Sequence, residues 1–337
     1  CQSNFGLQDN EPLMNLGKAE NLSRTRQDIY MFPKAEIIET NGVNLEVFHK
    51  GEGAPIVLCH GWPEHAYSWR HQVDPLVEAG YHVIVPNQRG YGNSSIPEQV
   101  EEYDIACLTG DLLGLLDHFG YQDAVFVGHD WGAIVVWNLA LMHPNRVSGI
   151  INLSVPFMER GEREWVGFWE DVLGGDFYIV HFNRQPGVAD AAFEENPRKF
   201  LTNLYRTEQW LEESPKLPAG MPLISLAKAD KMPGKLMMAE TDLDVFVQAF
   251  ELSGFTGGIN WYRNFSRNWQ LTENYTPLIE QPTLMIYGDY DSVPKGKNLL
   301  DHAPNTTTVN LPCGHWIQQE KPEDTNRAMI NWLNQNC

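Results

Sequence analysis

Asp130 stands between two glycines, in the run Ala124-Val-Phe-Val-Gly128-His129-Asp130-Trp131-Gly132. An apolar run, a Gly-x-Asp-x-Gly turn and an apolar helix follow one another. That is the spacing of the strand–turn–helix elbow that usually lifts a serine above a parallel sheet. The flanking residues must be small, because such a turn is strained and brings backbones close. A carboxylate at the N-terminus of the following helix is favoured by the helix dipole. The motif by itself fits a nucleophile and an ordinary helix N-cap equally well. As a nucleophile, Asp differs from Ser in kind. A carboxylate is ionised near neutral pH and attacks without help from a base. Ser opening a bond at a saturated carbon would be left as an inert ether, whereas Asp is left as an ester that water can hydrolyse. The residue type therefore points to attack on an epoxide or an alkyl halide.

Folds with this elbow place nucleophile, acid and histidine in that chain order. Downstream lie Tyr287-Gly288-Asp289-Tyr290-Asp291-Ser292-Val293-Pro294 and Leu311-Pro312-Cys313-Gly314-His315-Trp316. His315, between a strand and a helix, is the candidate general base. Asp291 is the candidate orienting acid and Asp289 its rival; both also suit an ordinary turn. The loop after Leu58-Cys59-His60-Gly61-Trp62-Pro63 would contribute the Trp62 N–H to an oxyanion hole, with the Trp131 N–H as its second donor. His60 and His129 read as structural, since each sits inside a motif where loop geometry is the stronger demand.

These residues need a parallel sheet beneath them. Ala35–Thr40 and Val43–His49 flank Asn41-Gly42 and read as a hairpin. Pro55–Cys59, His82–Pro86, Ala124–Val127, Gly149–Leu153, Thr283–Tyr287 and Thr307–Leu311 read as buried strands. Ala66–Glu78, Leu108–Phe119, Trp131–Met142 and Ala328–Leu333 carry helical spacing. Alternating strands and helices predict an α/β fold with helices on both faces of a mostly parallel sheet. From about Pro156 to Trp269 the strands vanish. That stretch is aromatic and helical, with a Pro-rich loop over Ser214–Pro233 and a capping box at Thr241–Asp244 opening a helix to about Leu252. The predicted division is a polar extension over 1–30, a core over 31–155 and 270–337, and a helical cap over 156–269.

Composition narrows the partners. A formal net charge of -20 repels phosphate backbones and argues against nucleic acid. No apolar run is long enough to span a bilayer. Five irregularly spaced cysteines are neither a disulfide framework nor a zinc site. Cys1 followed by a polar, aperiodic stretch to Asp28 has the look of a processed bacterial lipoprotein. That reading predicts a lipid anchor and a periplasmic or membrane-bound location; a trimmed terminus on a cytoplasmic protein is its equal alternative.

The chain resembles the soluble epoxide hydrolases of the α/β-hydrolase superfamily. The likeness runs from about residue 31 to the end. It rests on His60-Gly61-Trp62-Pro63, Arg89-Gly90-Tyr91-Gly92-Asn93-Ser94-Ser95, Gly128-His129-Asp130-Trp131-Gly132 and Cys313-Gly314-His315-Trp316. Asn87 departs from the Asp that relatives often carry before the Arg-Gly-x-Gly run. The resemblance implies a cis Trp62–Pro63 bond, no metal or organic cofactor, and a small-molecule epoxide with water as reactants. It also implies two cap tyrosines that bind and protonate the epoxide oxygen. Asp176-Phe177-Tyr178 and Asn260-Trp261-Tyr262 match the two motifs, pointing to Tyr178 and Tyr262. Trp165, Phe168, Trp169, Phe177 and the Ser214–Pro233 loop would shape the pocket. The runner-up is a dehalogenase of the same superfamily. It is disfavoured by Trp62, where many haloalkane dehalogenases place Asn, and by Trp131, where fluoroacetate dehalogenases place Arg. A non-catalytic small-molecule-binding protein on this fold is the alternative of another class.

Overall fold

The computed structural model describes residues 32–207 and 223–337. The 1–30 extension, the Cys1 anchor and residues 214–222 of the Pro-rich loop lie outside the described residues.

An eight-stranded sheet organises the chain in the order β1-β2-β4-β3-β5-β6-β7-β8. The strands are β1 (Ala35–Thr40), β2 (Val43–Lys50), β3 (Ala54–Cys59), β4 (Tyr81–Asn87), β5 (Ala124–His129), β6 (Val147–Leu153), β7 (Thr283–Gly288) and β8 (Thr306–Leu311). β1 and β2 form the expected hairpin, with Asn41 and Gly42 both at positive φ. β2 pairs antiparallel with β4, and the remaining pairs are parallel. The central strands are apolar along their length and buried, as a sheet covered on both faces requires. Register aligns Cys59 with Gly128, His129 with Leu153, and Gly288 with Leu311. The loops after β3, β5, β6, β7 and β8 therefore leave the sheet at one edge, where ligands bind in open parallel sheets.

Among the described residues, the first half carries the α-helices α1 (Val73–Glu78), α2 (Ile105–Phe119) and α3 (Trp131–Met142). The helix predicted over Ala66–Glu78 is instead split into a 3-10 turn at Ala66–Trp69 and α1. Pro75 lacks an N–H and would clash one turn back, so it is accommodated only in the first turn of a new helix. α2 starts earlier than periodicity suggests, because the Asp104 carboxylate caps the Cys107 N–H at 2.9 Å.

Between β6 and β7 run α4 (Trp165–Leu173), α5 (Tyr178–Arg184), α6 (Val188–Glu194), α7 (Pro197–Leu204), α8 (Ile224–Lys228), α9 (Glu240–Ser253), α10 (Thr256–Arg263) and α11 (Phe265–Leu271). α8 places a short helix within the stretch read as a Pro-rich loop. The expected capping box is absent: α9 begins at Glu240, Ala239 is its N-cap, and no side chain caps it. Asp242 instead accepts from the Tyr67 hydroxyl at 2.9 Å and faces Arg70 at 3.5 Å, while Asp244 pairs with Arg198. Tertiary partners outcompete the local cap. The insertion is tied to the core by Trp261 Nε1–H donating to the Arg89 carbonyl and by the Tyr205 hydroxyl donating to the Pro63 carbonyl. Pro33–Cys337 form one compact unit with the insertion included. The chain closes with α12 (Leu299–His302), α13 (Ile317–Glu320) and α14 (Pro322–Asn336), the last longer than the predicted Ala328–Leu333. Among the described residues no helix is long and apolar enough to cross a membrane.

Candidate active site

Asp130 follows β5 with φ 52° and ψ -116°, a strained conformation for a residue with a side chain. Its carboxylate does not cap α3. Oδ1 accepts the Trp62 N–H at 2.8 Å, and the Trp131 N–H also bonds the carboxylate. The two N–H groups expected to form an oxyanion hole thus converge on this side chain. The glycines around it follow from crowding. A Cβ on Gly132 would lie 2.0 Å from the Cys59 carbonyl oxygen, and one on Gly61 would lie 2.5 Å from Asp130 Cβ. The Trp62–Pro63 bond between these segments is cis, as expected.

His315 approaches from the loop after β8. Its Nε2 is 3.7 Å from Asp130 Oδ2, and its Nδ1 lies 3.0 and 3.2 Å from the two oxygens of Asp291. Asp289 is not part of this group. It is exposed and binds Lys295 Nζ at 3.0 Å. Burial opposes ionisation of Asp291, but the neighbouring His315, the Ser154 hydroxyl and the Val293 N–H hold its carboxyl down to about 2. Burial also opposes protonation of His315, yet Asp291, Asp130 and Glu64 together lift it to about 9. Burial raises Asp130, against the pull of His315 and the two N–H groups.

Tyr178 opens α5 and Tyr262 lies near the end of α10. Their rings are 5.7 Å apart, with the hydroxyls in hydrogen-bonding reach. Asn183 Nδ2 donates to the Tyr262 carbonyl at 3.0 Å and locks the two helices together. Tyr262 stands edge-on to both Trp62 and Trp131, at 5.5 and 5.1 Å. Burial and the nearby Asp130 charge push both phenols up, so both stay protonated through the neutral range. Phe265 packs on Trp131 and gathers Trp165 and Trp169, with Phe177 against Trp169. Phe168, expected among them, is 44% exposed on α4: it lies one position off the buried stripe.

His60 and His129 are both fully buried. His60 Nδ1 meets the Gly61 carbonyl and its Nε2 accepts the Gln88 N–H. His129 bridges Glu64 at 2.6 Å and the His315 carbonyl at 2.8 Å. Sequence reasoning missed Glu64 and Ser154. Glu64 accepts from the Gly61 N–H and from both Gln318 and Gln319, so it pins the Trp62 loop to the segment after His315. Its signal was an acid inside an apolar turn. Ser154, a small polar residue just past an apolar strand, donates to Asp291 Oδ2 at 2.6 Å. Among the described residues no group of three or more His, Cys, Asp or Glu side chains is arranged to hold a metal ion.

Residues 54–322 match the family model of the alpha/beta hydrolase fold. Epoxide hydrolase A of Mycobacterium tuberculosis is 39% identical over 89% of this chain and 97% of that protein. Bifunctional epoxide hydrolase 2 of Sus scrofa is 36% identical over 87% of this chain and 53% of that longer protein. Among solved structures, Epoxide Hydrolase A from Mycobacterium thermoresistibile superposes with a TM-score of 0.82 at 41% identity, covering 90% of this chain and 98% of that one. By the family model and these relatives, the chain belongs to the epoxide hydrolases of the α/β-hydrolase fold family.

Proposed function

We propose that this protein converts a small-molecule epoxide and water to a vicinal diol through an ester on Asp130. The observation that carries the reading is the placement of Asp130, between His315 on one side and two N–H donors on the other, with two protonated tyrosines within the field of its charge. Oδ1 sits in the N–H hole, so Oδ2 is the attacking oxygen. It bonds to an epoxide carbon as the ring C–O bond breaks. The departing oxygen takes a phenolic proton from Tyr178 or Tyr262. The tyrosinate regains a proton from His315, which is left neutral. His315, oriented by Asp291, then takes a proton from water as the hydroxide adds to the ester carbonyl. The oxyanion forms on Oδ1, against the Trp62 and Trp131 N–H groups. Collapse breaks the Cγ–Oδ2 ester bond, and the leaving alkoxide takes the proton of the added hydroxyl. This releases the diol and restores an ionised Asp130 beside a protonated His315, so the cycle consumes no net proton. In this reading residues 156–269 are the cap that carries the tyrosines. Trp165, Trp169 and Phe177 shape the aromatic side of the pocket.

A single turnover in ¹⁸O-labelled water tests the reading. The label is expected in the Asp130 carboxylate, with the first diol unlabelled at the newly added oxygen. Label entering that first diol directly means that water attacks the epoxide itself, which defeats the covalent route. Asp130→Ala is expected to fold and to form no diol.

A further inference from the structure

Ser154 has an odd backbone for its residue type. It follows β6 with φ 71°, a region that L side chains rarely adopt. Its N–H donates to the Ile286 carbonyl of β7 at 3.0 Å, which fixes the residue against the strand that leads to Asp291. The side chain is buried, with the residue 1% exposed. Its Oγ donates to Asp291 Oδ2 at 2.6 Å and lies 3.1 Å from His315 Nδ1.

A hydroxyl has one proton and two lone pairs. The proton is committed to Asp291, because an ionised carboxylate only accepts. A lone pair is then left for the Nδ1–H of His315, which is shared between Asp291 and Ser154. Both partners accept at Nδ1, so both favour the tautomer that keeps a proton there and leaves Nε2 free. On the Asp291 side, Oδ1 is also held by the Val293 N–H at 2.9 Å and Oδ2 by Ser154, so the carboxylate cannot rotate away from the ring.

We infer that Ser154 is a positioning residue for the hydrolysis step: its hydroxyl fixes the Asp291 carboxylate and the Nδ1 edge of His315, and so aims Nε2 at water. The inference rests on Asp291 and His315 being orienter and base. The strained φ fits this role, since it turns the side chain toward the two residues.

Rapid-quench measurement of adduct formation and adduct decay, across pH, separates the possibilities. Ser154→Ala should leave adduct formation within about two-fold. It should slow decay about 10- to 100-fold, the range for a lost hydrogen bond to a charged group. The midpoint of the decay profile should fall, because Nδ1–H has lost an acceptor, while the Asp291 and Glu64 carboxylates that face His315 keep their charge and Asp130, an ester in the adduct, carries none with or without the Ser154 hydroxyl. Ser154→Gly tolerates the φ but supplies no donor, and should stay slow. Ser154→Asn tolerates positive φ and can donate to Asp291, and should recover much of the decay rate. Ala and Gly variants that decay at the wild-type rate with an unmoved midpoint overturn the inference. So does an equal loss in both steps, or a slow decay that Asn fails to rescue. A wild type that forms no adduct strikes instead at the covalent reaction proposed above.

Discussion

Replacing the Asp130 carboxylate by a neutral group should switch the charge state of His315. In the free enzyme Nε2 of His315 faces Asp130 Oδ2 at 3.7 Å, and its pKa is lifted to about 9. Alkylation turns that carboxylate into an uncharged ester. Two unit charges at 3.7 Å in an effective dielectric of about 20 interact by about 4.5 kcal/mol. That corresponds to about three pKa units. The imidazole should then titrate at roughly 6 in the alkyl-enzyme. On the proposed route His315 is therefore protonated while Asp130 attacks, and becomes free to act as the base at neutral pH once the ester exists. Asp130→Asn is a stable imitation of the ester: the same shape, no charge, and an amide oxygen still able to accept from Trp62. Nuclear magnetic resonance titration of the His315 ring should give a midpoint near 9 in the wild type. In Asp130→Asn it should fall by about two to three units. Asp291 and Glu64 are intact in both, so the difference isolates Asp130. A midpoint that moves by less than half a unit would refute the reasoning, because charge loss at Asp130 would then not be what frees the base.

Other perturbations probe the remaining roles. In His315→Gln the protein should accumulate an adduct, read as an intact-mass increase equal to the epoxide; an inactive variant without adduct would move His315 into the first step. Asp291→Asn should slow adduct decay about 10²- to 10⁴-fold through loss of the orienting charge, while Asp289→Asn, on the exposed Lys295 pair, should be near wild type. Each single Tyr→Phe change at Tyr178 or Tyr262 should cost up to about 10²-fold in alkylation, and the double variant should lose it almost wholly, since no donor remains for the alkoxide. An unimpaired double variant would remove the tyrosines from the mechanism. Gly132→Ala should fail to accumulate folded protein, as its Cβ would meet the Cys59 carbonyl oxygen at 2.0 Å; a normal melting transition would show that the elbow has more room than its backbone suggests.

What could be read from the sequence divides by distance along the chain. The elbow is legible because strand, turn, nucleophile and helix occupy neighbouring residues, and their glycines are demanded by contacts within the turn and with β3. The sheet is legible because its central strands are buried on both faces and apolar throughout. The sequence ranks Asp291 above Asp289 as the orienting acid, but nothing local to the run decides between them. Both follow β7, and the outcome depends on Lys295 drawing one outward while the Val293 N–H, Ser154 and His315 draw the other in. The juxtaposition of Tyr178 and Tyr262, with rings 5.7 Å apart, was expected only through resemblance, because helical periodicity does not say what a buried face meets. Phe168 shows the cost of that ambiguity.

The least legible part is the polar scaffold beneath the site, and its construction explains why. Asp242 of α9 faces Arg70, Arg70 donates to Gln319 Oε1 at 2.8 Å, and Gln319 donates to Glu64 at 2.9 Å. Glu64 meets His129, whose other nitrogen meets the carbonyl of His315. Each link joins residues from different motifs or from the insertion, so no local pattern announces it. Yet Arg70 and Glu64 are buried charges, and a buried charge is costly unless its partners are supplied. The same links that satisfy them also connect a helix of the insertion to the backbone of His315. The Tyr205 and Trp261 bonds anchor the insertion independently at the Pro63 and Arg89 carbonyls. With several attachment points rather than one hinge, Tyr178 and Tyr262 are held in register with Asp130. On the proposed route, the epoxide oxygen can then meet its proton donors only if both halves of the fold are correctly packed.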